Sequence, residues 1–155
     1  MFREMRRKRQ QIEDAECLEV LRKAKRGILA VLGDEDYPYA VPLDYVYEDG
    51  FLYFHCAMEG HKLDSVRRHE KVSFCVLSDP VPEENEWWFH VTSVIVFGKI
   101  REVEDPEEHD RCLRLLARKY MPADEIEGDM QRNARHAVVL ALHIDHMTGK
   151  HVREK

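Results

Sequence analysis

The sequence lacks the features by which several large classes of protein are recognised. It has no apolar run long enough to cross a bilayer, and no apolar segment follows its basic N-terminus to form a secretory signal. Acidic residues outnumber basic ones by 30 to 24, and a net charge of −6 offers no electrostatic surface for a nucleic acid. We therefore expect a soluble cytoplasmic protein that binds neither a membrane nor a nucleic acid.

The motifs of several common catalytic chemistries are also missing. The spacings of H-E-x-x-H, G-x-S-x-G and the P-loop do not occur, and His136, His143 and His146 have no carboxylate or thiol at the usual spacing of zinc ligands. The cysteines form no C-x-x-C pair, which in a cytoplasmic protein predicts reduced thiols. They are Cys17, Cys56, Cys75 and Cys112. We expect no metal site and no serine or cysteine nucleophile.

What the chain does contain is a succession of short apolar strands within 155 residues, a length that suits one domain with one core. We predict strands at residues 28–32, 39–48, 51–57, 71–78, 87–103 (as one bent strand or two) and 137–145. We predict helices at residues 12–26, ended by Gly27, and at residues 61–69 and 105–121. Asp49 and Gly50 mark a tight hairpin turn.

Six or more strands with only local helices predict a mainly β fold with flanking helices (α+β) built as a small closed or nearly closed barrel. In the last strand the apolar residues Val138, Leu140 and Leu142 share one face, yet Val139 and Ala141 make the other face apolar as well. A strand with one wet face alternates more cleanly than this. Helices can cover part of the outside, and a homodimer would cover the rest.

The segment YFHCAMEGHKLD (residues 53–64) is a strand that turns at Gly60 into the start of a helix. Free N–H groups at a helix start attract anions, and Lys62 adds a full positive charge beside them. One interpretation is a phosphate site. The other is a surface lysine on a short solvated helix, because Gly-x-Lys alone is a weak signal.

Three further residues each have a structural and a functional interpretation. His55 is either a packed, hydrogen-bonded histidine or a ligand-facing one, and Ser93 is either a core serine or a hydrogen-bonding partner for a bound ring. Pro42 cannot donate to a ladder, so its strand lies at an edge or a bulge, or runs beside a flat ligand.

Several segments together resemble a known family, the pyridoxamine 5′-phosphate oxidase-like flavoproteins, and within it the nitroimidazole-resistance (nitroimidazole reductase) branch. The segments that carry the resemblance are RRKRQQI, PYAVPL, YFHCAMEGHKLD, TSVIVFGK and HIDHMTGK, which occur in the family's order along nearly the whole chain, residues 1–155. The resemblance implies a split β-barrel homodimer that binds FMN at the subunit interface. A basic N-terminal arm, residues 1–11, precedes the barrel, and its Arg6 and Arg7 match a motif of this branch.

The resemblance also implies the residues of the flavin site. His61 and Lys62 would hold the FMN phosphate, and Ser93 and Val94 would approach the flavin from a neighbouring strand. Two further trios would run along the isoalloxazine ring. They are Val41, Pro42 and Leu43, and His55, Cys56 and Ala57. Among these, His55 matches the histidine that faces the substrate and is the candidate catalytic residue.

The implied activity is an FMN-dependent reduction of a small flat electron acceptor such as a nitroimidazole or another nitroaromatic. The C-terminal HMTGKHVREK lacks the Arg-x-His arrangement that true pyridoxamine 5′-phosphate oxidases use for their substrate. Oxidation of that vitamer is therefore not expected. Two alternatives stay open at this point: a flavin- or haem-binding protein of the same fold without turnover, and a plain barrel for an apolar ligand.

Overall fold

A single curled antiparallel sheet dominates the fold. The structure is a computed structural model that describes residues 1–82, 84–85 and 89–152. The strands are β1 (Gln11–Ile12), β2 (Arg26–Leu32), β3 (Pro38–Asp44), β4 (Val46–Glu48), β5 (Phe51–Ala57), β6 (Lys71–Leu77), β7 (Val81–Pro82), β8 (Phe89–Glu102) and β9 (Ala137–Val152). The helices are α1 (Asp14–Lys23), α2 (His61–Arg68), α3 (Pro106–Tyr120) and α4 (Ile126–Asn133).

The strand order turns the sheet into a barrel with an opening. Neighbouring strands run in the order β3-β2-β6-β8-β9-β5-β4, with β1 added to β9 and β7 added to β8. Every pairing is antiparallel. The edge strands β3 and β4 are consecutive in the chain, so the two ends of the sheet come back to each other at Tyr45. The predicted mainly β fold with flanking helices is confirmed.

Two apolar clusters lie on opposite sides of the sheet. The inner cluster fills the barrel and includes Phe54, Phe74 and Leu140, which have no exposed surface. The outer cluster lies between the sheet and helices α3 and α4, and it includes Val139 and Ala141. The prediction that both faces of the last strand are covered is therefore confirmed, and helices supply the cover over this part of the sheet.

A β-bulge in the longest ladder allows side chains of β9 on both sides of the bulge to pack against the inner cluster. Phe97 pairs with His146 while its neighbour Gly98 pairs with Ile144, so Asp145 is the extra residue on β9. The bulge shifts the two-residue alternation of β9 by one position. As a result both Ile144 and Met147 pack against the inner cluster, although they are three residues apart.

Most element predictions from the sequence are confirmed, and a few are wrong. Helix α3 begins after Asp105, whose carboxylate accepts the backbone N–H of Glu108 at 2.9 Å, and the Asp49–Gly50 hairpin joins β4 to β5. The predicted strand 39–48 is two strands. The part of the predicted strand 87–103 that includes Trp87 and Trp88 lies outside the described residues.

The prediction that Gly27 ends the first helix is wrong. Helix α1 begins with a capping box formed by Glu13 and Glu16 and ends at Lys23. Gly27 lies inside β2, where a Cβ atom would stand 2.4 Å from the ring of Phe74. The glycine is there because a core ring packs against its backbone, and not to stop a helix.

The N-terminal arm is held against the barrel in the structure. Gln11 pairs with Lys150 of β9, so the last residue of the predicted arm already belongs to the sheet. Further back, the ring of Phe2 stacks on that of His146 with 4.5 Å between centroids. The arm therefore lies on the outer side of the ladder of β8 and β9.

Candidate functional site

The opening in the barrel is a slit between two open strand edges. Strand β4 pairs with β5 in a register that sets Val46 opposite Tyr53. If this register continued, Asp44 would lie opposite His55, but in the described part of the chain no pairing is made there. We call this gap, between residues 40–44 and residues 54–57, the slit. Its two edges present backbone N–H and C=O groups that no neighbouring strand uses.

Side chains of helix α3 bind the backbone at the closed end of the slit, the corner at Tyr45. The backbone N–H of Tyr45 donates to the hydroxyl of Tyr120 at 2.9 Å, and the Nζ of Lys119 donates to the carbonyl of Tyr45 at 2.9 Å. The buried phenol of Tyr45 donates to the carbonyl of Leu21 at 2.7 Å. Side chains of α3 therefore satisfy the backbone N–H and C=O of Tyr45.

Burial changes the acid–base properties of this corner. Burial, followed by repulsion from Lys25, lowers the pKa of Lys119 to about 8. Burial also raises the pKa of Tyr120, whose hydroxyl lies 2.5 Å from the carbonyl of Lys25. Both side chains therefore make their hydrogen bonds in a partly desolvated position.

The N-terminus of α2 lies at the other end of the slit. Gly60 precedes the helix with φ at +132°, a backbone conformation that favours glycine. Within the described residues, the N–H groups of His61, Lys62 and Leu63 have no protein acceptor. Burial raises the pKa of the Cys56 thiol at the end of β5, and the positive charge of Lys62 opposes that shift.

The side chain of His61 holds the helix to the turn between β2 and β3. Its ring stacks on Tyr39 with 4.3 Å between centroids, and its Nε2 accepts the backbone N–H of Asp34 at 3.1 Å. Arg68, at the far end of the helix, donates to the carboxylate of Asp34 at 2.7 Å. Lys62 therefore provides the charged side chain at this end of the slit, while His61 offers its backbone N–H.

His55 projects from β5 to the outside of the barrel. Its side chain is exposed and, among the described residues, makes no hydrogen bond. The interpretation of His55 as a packed, hydrogen-bonded histidine is therefore wrong. Together with Asp44 from the opposite edge of the slit, His55 lines a cavity of about 370 Å³ beneath α3 and α4. We call this space the α3–α4 cavity.

The predicted site residues of β3 gather at the slit. Pro42 is exposed on the open edge, which confirms that its strand is an edge strand, and Val41 and Leu43 pack partly against the inner cluster. The predicted site residues of β5 border the slit on its other side. Ala57 is exposed beside His55, whereas the Cys56 side chain points into the core.

The other predicted strand pair does not reach the slit within one chain. Strand β8 lies between β6 and β9 and pairs with neither β3 nor β5, so the approach of Ser93 and Val94 to a flavin stays a prediction. Val94 is fully buried in the core, and Ser93 lies on the outer face with Ile95.

Sequence reasoning missed Lys119, Tyr120 and all of α4. A signal for α4 was present, because Ile126 and Met130 have the four-residue spacing of one helix face and both are buried. The acidic residues between them masked this spacing. Nothing local to Tyr120 indicates that its hydroxyl meets the backbone of a residue 75 positions away.

Two further observations concern other kinds of site. Among the described residues, no group of three or more histidine, cysteine, aspartate or glutamate side chains is arranged to hold a metal ion. The described helices are also too short or too polar to cross a membrane.

Fold and site together define an antiparallel split β-barrel whose slit runs from a basic helix N-terminus to an apolar cavity. The sequence profile of the family described as pyridoxamine 5′-phosphate oxidase matches residues 13–151 of the chain. The chain belongs to this family. A comparison with curated protein sequences finds no significant match.

Solved structures share the fold over most of the chain. A protein of Bacteroides thetaiotaomicron named for 5-nitroimidazole antibiotic resistance is 24% identical, with a TM-score of 0.76 over 91% of this chain and 86% of that one. An FAD-binding protein of Mesorhizobium loti is 26% identical, with a TM-score of 0.66 over 92% and 97%. The FAD and haem binding protein of Mycobacterium smegmatis is 19% identical, with a TM-score of 0.76 over 94% and 74%.

Proposed function

We propose that the chain binds FMN in the slit and uses it to reduce a small flat acceptor such as a nitroimidazole or another nitroaromatic. The observation that carries this proposal is the slit itself, since open strand edges lead from the N-terminus of α2 to His55. A flat ring with polar edges can hydrogen-bond to such edges, and a phosphate suits the helix start. Membership of the family and the names of the similar structures support a flavin as the ligand.

Each part of the slit would have its own task. Lys62 and the N–H groups of α2 would hold the phosphate, while Val41, Pro42 and Leu43 on one side and His55, Cys56 and Ala57 on the other would border the ring. FMN, when bound, supplies the electron transfer. His55 would hold or release a proton at the acceptor, because its exposed imidazole lies where the slit meets the α3–α4 cavity.

The visible spectrum of the purified protein tests the ligand directly. We expect flavin absorbance and, after denaturation, about one FMN per chain by chromatography. The alternative is a flavin- or haem-binding protein without turnover, which the name of the Mycobacterium smegmatis neighbour favours. A haem band, or a bound flavin that no acceptor reoxidises after chemical reduction, would support that alternative. A colourless protein that takes up no flavin would favour a plain barrel for an apolar ligand.

Replacing Lys62 by alanine should weaken FMN binding about tenfold or more and leave riboflavin binding nearly unchanged. The reason is that a charge-assisted hydrogen bond to a phosphate contributes roughly 1.5–3 kcal/mol, and riboflavin has no phosphate. Titrations of the apoprotein with both flavins measure the difference. Lys23→Ala is the control, because Lys23 lies in the last turn of α1 and pairs with Glu19. Equal losses for FMN and riboflavin would contradict the assignment of Lys62 to the phosphate.

We also propose that the protein is a homodimer joined through the outer face of β2, β6 and β8. Ile28 pairs with Cys75, which pairs with Ile95, so these three side chains form an apolar row across the sheet. The exposed apolar side chains on this face are Ile28, Leu32, Leu77, Ile95 and Phe97, each between 39% and 56% exposed. Docking here would bring Ser93 of each copy toward the other copy, as a shared flavin site requires.

Light scattering at micromolar concentration should report about twice the chain mass of 18.4 kDa. Ile95→Asp should shift the protein to the monomer, because a carboxylate in an apolar interface is buried without a partner. Ala15→Asp, on the exposed side of α1, is the matched control and should leave the mass unchanged. A wild-type protein that binds FMN as a monomer would contradict both the interface and the shared site.

A further inference from the structure

We propose that the α3–α4 cavity receives the body of the electron acceptor, and that it accepts neutral or cationic aromatic molecules and rejects anions. This inference rests on the proposed function, because it treats the slit as the place of the flavin. The cavity encloses about 370 Å³, within the range of small-molecule sites. His55 and Asp44, which border the slit, also line the cavity, so the cavity adjoins the slit.

The walls of the cavity are mainly apolar and adaptable. Leu116 and Ala117 of α3 form one side, and Met130 and Ala134 of α4 and its C-terminal end form the other. Methionine side chains have several rotatable bonds and a polarisable sulfur, so they fit the faces of aromatic rings of different shape. A flat apolar molecule would therefore lose water on both faces when it enters.

Apart from the titratable His55, the ionisable side chains that line the cavity and are charged at neutral pH are acidic. Asp44 and Asp129 line it, and within the described residues no lysine or arginine does so. Asp44 accepts from the guanidinium of Arg26 at 2.7 Å, so part of its charge is balanced. In the part of the chain that the structure describes, Asp129 accepts only from the neutral amide of Asn133, at 2.6 Å. An anionic acceptor would meet these carboxylates in a partly desolvated space, whereas a cation would gain from Asp129.

Three naphthalene compounds of the same shape test the selectivity without any flavin chemistry. Calorimetric titration of the full chain with 2-naphthalenemethanol, 2-naphthylmethylammonium and 2-naphthoate measures a neutral, a cationic and an anionic probe. We expect the first two to bind about tenfold or more tightly than the anion. Asp129→Asn, which keeps a side chain of the same size, should raise the affinity for 2-naphthoate about tenfold and leave the neutral probe nearly unchanged. Equal affinities of the wild type for all three probes would overturn the proposal.

A cavity-filling variant locates the binding. Ala134→Phe places a ring in the cavity and should weaken the neutral probe about tenfold or more, while Ala15→Phe, on the exposed side of α1, should not change it. Unchanged binding in Ala134→Phe would overturn the proposal. Selective probe binding in a protein that takes up no FMN would leave the cavity assignment standing and refute the proposed flavin function. FMN-dependent turnover with unselective probe binding would support the proposed flavin function and refute the cavity assignment.

Discussion

Replacing His55 by glutamine should slow the reoxidation of the reduced, FMN-loaded protein by a nitroaromatic acceptor about 10²-fold or more. General acid–base assistance contributes typically about 10²–10⁴ in rate, and imidazole exchanges protons near neutral pH whereas an amide does not. Glutamine keeps a polar side chain of similar reach, so the fold and the bound flavin should be retained. Chemical reduction of the flavin before mixing removes the electron donor from the measurement, and stopped-flow absorbance at the flavin band follows the step itself.

Two controls separate a chemical role of His55 from a structural one. His143→Gln changes another exposed histidine, one that pairs with Phe51 at the opposite end of β5, and it should reoxidise at the wild-type rate. A melting curve of His55→Gln should be close to that of the wild type, because the His55 side chain is exposed. A lower melting temperature with an unchanged rate per bound FMN would remove His55 from the mechanism.

Gly98→Ala should destabilise the folded protein by about 3 kcal/mol or more. A Cβ atom at this position would lie 2.0 Å from the carbonyl oxygen of His143, and a backbone atom in the longest ladder cannot move aside as a side chain does. Overpacking of a rigid site costs about 1–3 kcal/mol and occasionally more. Urea denaturation followed by fluorescence measures the loss in the free energy of unfolding.

Gly128→Ala is the matched control for this prediction. Gly128 lies within α4, and there the atoms nearest the new methyl group belong to the guanidinium of Arg132, the mobile end of a long side chain, at 3.0 Å. Alanine is favoured over glycine inside a helix by about 1 kcal/mol, so this variant should be equally or more stable than the wild type. A Gly98→Ala protein as stable as Gly128→Ala would show that the bulge in β9 has room to move.

The sequence was sufficient for elements whose signals are local. The residues that form the Asp49–Gly50 turn lie within a few positions of one another, and so do the residues that begin helix α3. Both elements were predicted. The second half of β9 was missed because the bulge at Asp145 interrupts the two-residue alternation on which strand prediction depends. The role of Gly27 was predicted wrongly because the ring that packs against this glycine belongs to Phe74, a residue 47 positions away in the sequence.

The candidate site likewise contains residues that a local sequence pattern indicates and others that it does not. Lys62, His55 and Pro42 could be singled out because each stands in a recognisable local pattern, and the structure places all three around the slit. The α3–α4 cavity could not be predicted, since it arises from the packing of two helices against a strand that is distant in the chain. Ser93 could be selected by resemblance, but its distance from the slit follows only from the strand order.

The corner at Tyr45 connects the two edge strands of the sheet to helix α3. The hydroxyl of Tyr120 accepts the N–H of Tyr45, and the ammonium of Lys119 donates to its carbonyl. Without these side chains, the two backbone groups would lose these partners in a partly buried place, at a cost of roughly 1–3 kcal/mol for each polar group. Helix α3 thus stabilises the point at which the curled sheet returns to its own beginning.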